Sequence, residues 1–284
     1  MRIEILGSGG AVTTPRPGCS CAVCVEARAK GIPYSRTGPS LFVHGPNLLI
    51  DTPEEIKEQL NRSRITQIDA AIYSHWHPDH VMGRRVWETM NADWLRWPMR
   101  HRVTPIYLPQ QVALDFRTRL GSWEQFEYLQ RFGVVRVIEL ADGEAITLNG
   151  VRITPFRLVQ DYVYAFLLED GTRRVLIAPD ELFGWTPPDF VRGVDLAVIP
   201  MGLPEFHPLT GARLIPAEHP ALAAEATFAQ TLAIVRQMAP RRTILTHIEE
   251  PDALNYDDLL RLEVRLRAEG LAVQFAYDTL LVEV

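Results

Sequence analysis

His75-Trp76-His77-Pro78-Asp79-His80 places three of the chain's eight histidines and one aspartate within six residues. The apolar run Asp69–Ser74 leads directly into it and has the form of a short buried strand. Imidazole nitrogen is a good donor to zinc, manganese or iron, and a carboxylate adds charge neutralisation. In a tight loop, His75 and His77 can turn toward one ion while Asp79 and His80 turn toward a neighbour. Pro78 stiffens the loop and lowers the entropy lost on ordering it. This spacing is far more specific for a metal than an isolated histidine pair.

The remainder of the 284 residues has ordinary globular composition, with 47% hydrophobic and 23% charged residues. That excludes disordered, collagen-like and coiled-coil chains. Lys plus Arg number 29 against 35 Asp plus Glu, a formal charge of −6, which argues against a non-specific nucleic-acid coat. No apolar run reaches the roughly 18 to 20 residues of a membrane span, and the start, MRIEILGSGG, lacks a signal-peptide core. The expected location is the cytoplasm. Lys30 and Lys57 are the only lysines, so arginine carries nearly all the positive charge, which reads as coding bias.

No linker, low-complexity tract or short repeat divides the sequence, and a single domain over residues 1–284 is expected. Arg2–Leu6 reads as a strand ending in the turn Gly7-Ser8-Gly9-Gly10. Ser40–Val43 and Leu48–Asp51 read as a hairpin. Thr52 suits an N-cap for a helix over Pro53–Leu60. Pro105–Leu108 is a strand, with helical pattern following to Phe132. Strands are expected at Val134–Leu140, Ala145–Leu148, Val151–Leu158, Val163–Leu168, Arg174–Ala178, Asp195–Pro200 and Thr243–Thr246. Helices are expected at Ala221–Met238 and Tyr256–Glu269, and Leu271–Val284 holds two closing strands. Strand-rich halves that each end in helices imply two packed sheets with helices outside. Arg84–Arg102, with five arginines and three tryptophans, reads as a helix with an apolar Trp face, or else as a rim gripping phosphate.

Cys19, Cys21 and Cys24 are the only cysteines. Three thiolates at this spacing can wrap one tetrahedral zinc, the fourth ligand coming from elsewhere. Two cations about 3.5–4 Å apart at the His-rich loop would lower the pKa of a shared water and clamp an anionic substrate for in-line displacement. Hydrolysis is the expected reaction, and phosphodiesters are the best match for two cations.

The sequence resembles the metallo-β-lactamase superfamily over nearly its whole length. The motif His-x-His-x-Asp-His is matched by His75, His77, Asp79 and His80, the resemblance implying an α/β, four-layer αββα sandwich. Asp180, in Leu176-Ile177-Ala178-Pro179-Asp180, matches the family's bridging aspartate, and His247, in Ile244-Leu245-Thr246-His247, matches its last histidine. Gln160 stands where a further histidine is usual, and an amide is a weaker donor for zinc. The ion beside His75 and His77 is therefore expected to be weakly held, absent, or supported by Asp161 or a distant histidine. The set Asp79, His80, Asp180 and His247 is expected to retain metal better. Glu in place of His77 would have indicated flavodiiron-type redox chemistry.

The segment Gly18-Cys19-x-Cys21-x-x-Cys24, followed by Glu26-Ala27-Arg28-Ala29, is similar to the phosphoribosyl 1,2-cyclic phosphate phosphodiesterase branch. A related cluster occurs in the accessory protein of pyrroloquinoline quinone synthesis. The resemblance implies a fourth zinc ligand three residues past the last active-site histidine, which is Glu250 here, with His207 and His219 as alternatives. It also implies a helper histidine whose position is matched by Glu225. His219 and His207 lie in a Pro-rich loop upstream and could serve as general acid. Asp79, His219 and Glu225 are the candidate catalytic residues.

The function implied is a metal-dependent hydrolase. It would be a phosphodiesterase acting on a small cyclic phosphate or nucleotide through a metal-activated hydroxide, with one or two zinc or manganese ions and one structural zinc. The alternatives are a transfer-RNA 3′-processing ribonuclease and a non-hydrolytic accessory protein with a partly degraded site. The expected partner is a small phosphodiester, not a membrane or nucleic acid, with a homodimer one option for assembly.

Overall fold

The computed structural model describes residues 1–284. The first half forms β1 (Arg2–Gly7), α1 (Ala22–Lys30), β2 (Ser40–His44), β3 (Leu48–Ile50), α2 (Ile56–Arg62), β4 (Ala70–Ile72), α3 (Pro78–Val81), α4 (Val86–Asn91), β5 (Thr104–Pro109), α5 (Gln110–Thr118), α6 (Ser122–Phe132) and β6 (Val135–Leu140). The second half forms β7 (Ile146–Leu148), β8 (Val151–Arg157), β9 (Tyr164–Glu169), β10 (Arg174–Ile177), β11 (Leu196–Pro200), α7 (Phe228–Met238), β12 (Thr243–Thr246), α8 (Tyr256–Ala268), β13 (Val273–Phe275) and β14 (Leu280–Glu283).

Two seven-stranded sheets result, ordered β14-β1-β2-β3-β4-β5-β6 and β13-β12-β11-β10-β9-β8-β7. Strand periodicity builds the layers. Tyr164, Phe166, Leu168, Val175, Ile177, Leu196, Val198 and Ile244 share one core with Ile3, Ile5, Phe42, Leu48 and Ile106 of the first sheet. The intervening residues Ala165, Leu167, Leu176, Ala197, Ile199 and Leu245 pack instead with Phe228, Leu232, Val235 and Met238 of α7 and Leu259, Leu262 and Leu266 of α8. Successive side chains point to opposite faces, so the central strands β9 to β12 of the second sheet are apolar on both. The outcome is the expected four-layer αββα sandwich.

Each sheet has an antiparallel and a parallel part. β3, β4, β5 and β6 run parallel, as do β10, β11, β12 and β13. The carboxyl ends of β3, β4, β10 and β12 deliver Asp51, the His-rich loop, Asp180 and His247. A backbone hydrogen bond from Tyr164 N–H to Ser74 O (3.0 Å) ties the loop of the first sheet to the second.

Several elements differ from the sequence expectations. Thr52 caps no helix, and α2 starts at Ile56. The Thr52 hydroxyl shares a hydrogen bond with Tyr73 (2.9 Å), its N–H donates to His80 O (2.7 Å), and its carbonyl accepts from Gly83 N–H (2.9 Å). Tertiary bonds to the His-rich loop thus replace the local cap. The helical stretch before β6 breaks at Leu120 and Gly121, both at positive φ. Residues before Thr227 leave the expected Ala221–Met238 helix because a capping box between Thr227 and Gln230 starts α7 at Phe228. The closing strands split, β13 joining the second sheet and β14 the first.

Residues 84–102 do not form one amphipathic helix. Trp87 is buried in α4 and its indole donates to Tyr73 Oη (3.0 Å), whereas Trp94 and Trp97 lie exposed on an irregular loop. Arg102 from that loop donates to Ile68 O (2.8 Å) and Asp69 Oδ1 (3.0 Å). Those acceptors precede β4, whereas His75 follows it, so the loop sits at the far end of the strand and forms no rim to the His-rich loop.

Gly83 shows how tightly that loop is docked. A Cβ there would lie 2.0 Å from Pro53 O and 2.5 Å from Ile56 Cγ2. Gly83→Ala is expected to destabilise the fold by about 1–3 kcal/mol, as overpacking against backbone does. Urea unfolding followed by circular dichroism checks this, and an unchanged midpoint would contradict the close docking.

Candidate metal centre

Asp51, immediately after β3, is buried and has a left-handed backbone (φ 61°). Its carboxylate accepts from Ser74 N–H (2.8 Å), from the Ser74 hydroxyl (2.6 Å) and from His80 Nδ1–H (2.8 Å). Because the Ser74 hydroxyl proton goes to Asp51, Ser74 Oγ accepts from His75 Nδ1–H (3.0 Å). Both imidazoles therefore protonate Nδ1 and carry a lone pair on Nε2. Such carboxylate partners orient histidines that bind metal. In the sequence Asp51 is marked only as a carboxylate closing the apolar run Leu48-Leu49-Ile50, and was not among the expected site residues.

The Nε2 atoms of His75, His80 and His247 are buried and have no hydrogen-bond partner. They converge on two carboxylates. His75 Nε2 lies 3.3 Å from Asp180 Oδ2, and His80 Nε2 lies 3.4 Å from Asp79 Oδ2 and 3.9 Å from Asp180 Oδ2. His247 Nε2 lies 3.6 Å from Asp79 Oδ2 and 3.5 Å from Asp180 Oδ1. Unpaired buried ring nitrogens are costly unless something else satisfies them. A divalent cation would do so, and the donor set fits one.

Two groups of three donors form, each with ligand atoms within 4.8 Å of one another: His75, His77 and Asp180, and Asp79, His80 and His247. Asp180 faces both groups, the position of a bridging carboxylate. His247 is held in a left-handed conformation (φ 55°) after β12. Gly10 makes room for it, since a Cβ there would lie 2.3 Å from the His247 ring. Ile248 N–H donates to Ser8 O (2.9 Å), and Ser8 is itself held by its N–H (2.9 Å) and hydroxyl (2.8 Å) to Asp278 Oδ1.

The charges are arranged to match. Burial, reinforced by the neighbouring His75, holds His77 down at about 4, so its lone pair is available at neutral pH. Burial by itself would lower His247, but the Asp180 and Asp79 carboxylates outweigh it and push this histidine up to about 10. Burial would raise Asp180, yet His247, His75 and His80 hold it well below the usual carboxylate range.

Comparison with known proteins identifies the family. A family model described as a beta-lactamase superfamily domain matches residues 46–248. The chain belongs to the metallo-β-lactamase superfamily. Members of this superfamily are mostly metal-dependent hydrolases. The crystal structure of a new diphosphatase from the PhnP family superposes with a TM-score of 0.71 at 23% identity, over 100% of this chain and 97% of that one. An octanoyltransferase of Porphyromonas gingivalis is 34% identical over 123 residues, 42% of this chain and 23% of that protein. A ribonuclease Z of Archaeoglobus fulgidus is 29% identical over 143 residues, 48% of this chain and 44% of that protein. The chain thus spans less than half the length of either curated relative.

The other expected residues fall as follows. Gln160 lines the same cleft as His77, Asp79 and Asp180. Its Oε1 accepts from the Tyr162 hydroxyl and its Nε2 donates to Ala224 O (3.3 Å), so both ends of the amide are engaged by protein. Glu225 lines the cleft. His219 is exposed and outside the lining, its Nδ1 accepting from Ala221 N–H (3.2 Å). His207 Nδ1 accepts from Leu209 N–H (3.2 Å) within its own turn, away from both the cleft and the thiols.

Glu250 stands with the thiols. Its Oε1 lies 3.1 Å from Cys19 Sγ, 3.2 Å from Cys21 Sγ and 3.6 Å from Cys24 Sγ. Backbone N–H groups of Cys21, Cys24 and Arg16 donate to the sulfurs of Cys19 (3.4 Å), Cys21 (3.4 Å) and Cys24 (3.2 Å). Burial pushes the Cys24 thiol up to about 12, so a cation must displace its proton. Three sulfurs and one carboxylate fit tetrahedral zinc.

Asp51→Asn keeps the shape but weakens the acceptor that orients His80 and Ser74. Affinity for zinc at the histidine centre is expected to fall about 10–100-fold, as read by chelator competition. Zinc must also displace the His247 proton, so affinity is expected to rise as pH increases from 7 toward 10, by up to tenfold per unit for one proton. Calorimetry in buffers of different ionisation heat measures that proton; zero release at pH 7 would contradict the raised His247 value. In chelator-treated protein the same shift stabilises the fold fully below the unfolded-state value near 6.5. That contribution is lost as pH rises through about 10.

Proposed function

We propose that the protein is a metal-dependent phosphodiesterase. The observation that carries this reading is the convergence of three unpaired imidazole Nε2 atoms and two carboxylates on one cleft, in two donor groups facing Asp180. His75, His77 and Asp180 would hold one divalent ion, zinc or manganese, and Asp79, His80, Asp180 and His247 a second. When bound, such ions neutralise a phosphodiester and make water nucleophilic at neutral pH.

The chain's own residues do the rest. Asp51 and Ser74 fix the imidazoles through Nδ1, so no reorganisation is needed during the reaction. Glu225, at the cleft lip, is raised by burial and by the nearby Glu249 and Asp180, which suits it to deliver a proton to a leaving oxygen. Tyr162, with its ring 5.5 Å from His77, closes one side and holds Gln160. A structural zinc on Cys19, Cys21, Cys24 and Glu250 would anchor the turn three residues beyond His247.

The partial identity with ribonuclease Z favours a second reading, cleavage of a precursor transfer RNA. The octanoyltransferase likeness covers too little of that protein to bring its activity here.

A panel of cyclic and linear phosphodiesters, including a precursor transfer RNA, assayed with added zinc or manganese tests the reading. Turnover of at least one small diester is expected, falling by about 10²-fold or more in Asp180→Asn, since removing one electrostatic contributor costs that much. Metal content should fall by one ion per chain in Cys19→Ser while the histidine centre keeps its own. No turnover of any diester by the metal-loaded protein would sink the phosphodiesterase reading.

A further inference from the structure

The cleft of about 440 Å³ has a wall that the candidate metal donors do not supply: Glu181, Glu225 and Glu249 line it, and no arginine or lysine does. Beside it a recess of about 40 Å³ opens between Asp180, Glu181, Glu225, His247, Glu249 and Asp252. Two arginines on adjoining surfaces are engaged elsewhere. Arg119 lies over the Trp76 ring (4.4 Å) and pairs with Asp115 (3.3 Å). Arg16 pairs with Glu250 (3.5 Å).

This wall is fixed in place. Glu181 sits in a left-handed backbone (φ 34°), and its Oε1 accepts from Phe183 N–H and from Ala226 N–H (3.2 Å). Glu249 Oε1 accepts from Val12 N–H (3.0 Å). That the cleft takes a ligand is indicated independently by His247, which lines both the cleft and the recess and whose buried Nε2 has no hydrogen-bond partner.

We propose that the recess is a specificity subsite for a hydrogen-bond donor on the alcohol of the phosphodiester, a primary ammonium or a sugar hydroxyl, and that it rejects a second anion. The proposal rests on the phosphodiesterase reading. Bound ions would serve one phosphate, and the cleft's own lining offers no arginine or lysine to another. A donor in the recess meets acceptor oxygens and gains charge-assisted hydrogen bonds. A second phosphate or carboxylate there meets like charge at close range. Nucleic acid, with a phosphate at every step, is disfavoured on the same ground.

Three p-nitrophenyl phosphodiesters test this, differing only in the second alcohol: ethanolamine, glycerol or glycolate. For the zinc-loaded full chain, kcat/KM is expected to be at least about tenfold higher for the ammonium and hydroxyl esters than for the carboxylate ester. Glu249→Gln and Glu181→Gln should each narrow that ratio. Calorimetric binding of phosphoethanolamine, glycerol phosphate and phosphoglycolate gives the same order without requiring turnover. Equal or tighter binding of phosphoglycolate, or a ratio unchanged in both variants, would overturn the subsite. Absence of turnover with the binding order kept would overturn the phosphodiesterase reading and uphold the recess.

Discussion

The buried Asp51 carboxylate is the constraint on which the rest of the site depends. It accepts from Ser74 twice and from His80 once, and through Ser74 it sets the tautomer of His75. A buried carboxylate without donors would be strongly destabilising, and a buried imidazole without an acceptor nearly so. Each group therefore requires the other. The next residue, Thr52, bonds the backbone of the His-rich loop on both sides, to His80 O and from Gly83 N–H. A strand end of the first sheet thus holds the loop of the adjacent strand in a single geometry.

The centre itself is a compromise between burial and charge. His75 and His80 are fully buried, and burial alone would strip His75, His80 and His247 of their protons. Asp79, Asp51 and Asp180 reverse that at His80, and Asp180 and Asp79 reverse it at His247. At His247 a proton supplies the counter-charge that a bound cation would replace. A site of this kind would load metal with proton release, and its affinity would follow pH.

The thiol cluster and the histidine centre share a short piece of chain. Val12 N–H donates to Glu249 Oε1 (3.0 Å), and Glu250 N–H donates to Val12 O (3.1 Å). Ile248 N–H donates to Ser8 O, so the segment after β12 lies along the Gly-rich turn that follows β1. His247 faces one way along this strip and Glu250 the other. Gly10 is glycine because the His247 ring occupies the space of its Cβ. The thiol cluster and the candidate metal cleft are therefore two faces of one pairing between the turn after β1 and the segment after β12.

Strand periodicity, the apolar run before the His-rich loop and the spacing of His75, His77, Asp79 and His80 were enough to determine the layers and to single out a metal-type loop, because side-chain alternation and ligand spacing are local properties. Asp180, His247 and Glu250 were legible only through resemblance, since each is a single polar residue at a strand end or turn. Asp51 was not legible at all, because its role comes from Ser74 and His80, brought to it by strand pairing. Local rules misled where tertiary bonds were stronger: Thr52 serves the His-rich loop instead of capping a helix, and the arginine–tryptophan segment lies at the wrong end of β4. The acidic wall of Glu181, Glu225 and Glu249 and the absence of cations beside it were decided only by the fold. Charge in a cleft depends on which distant residues share it, and no sequence spacing records that.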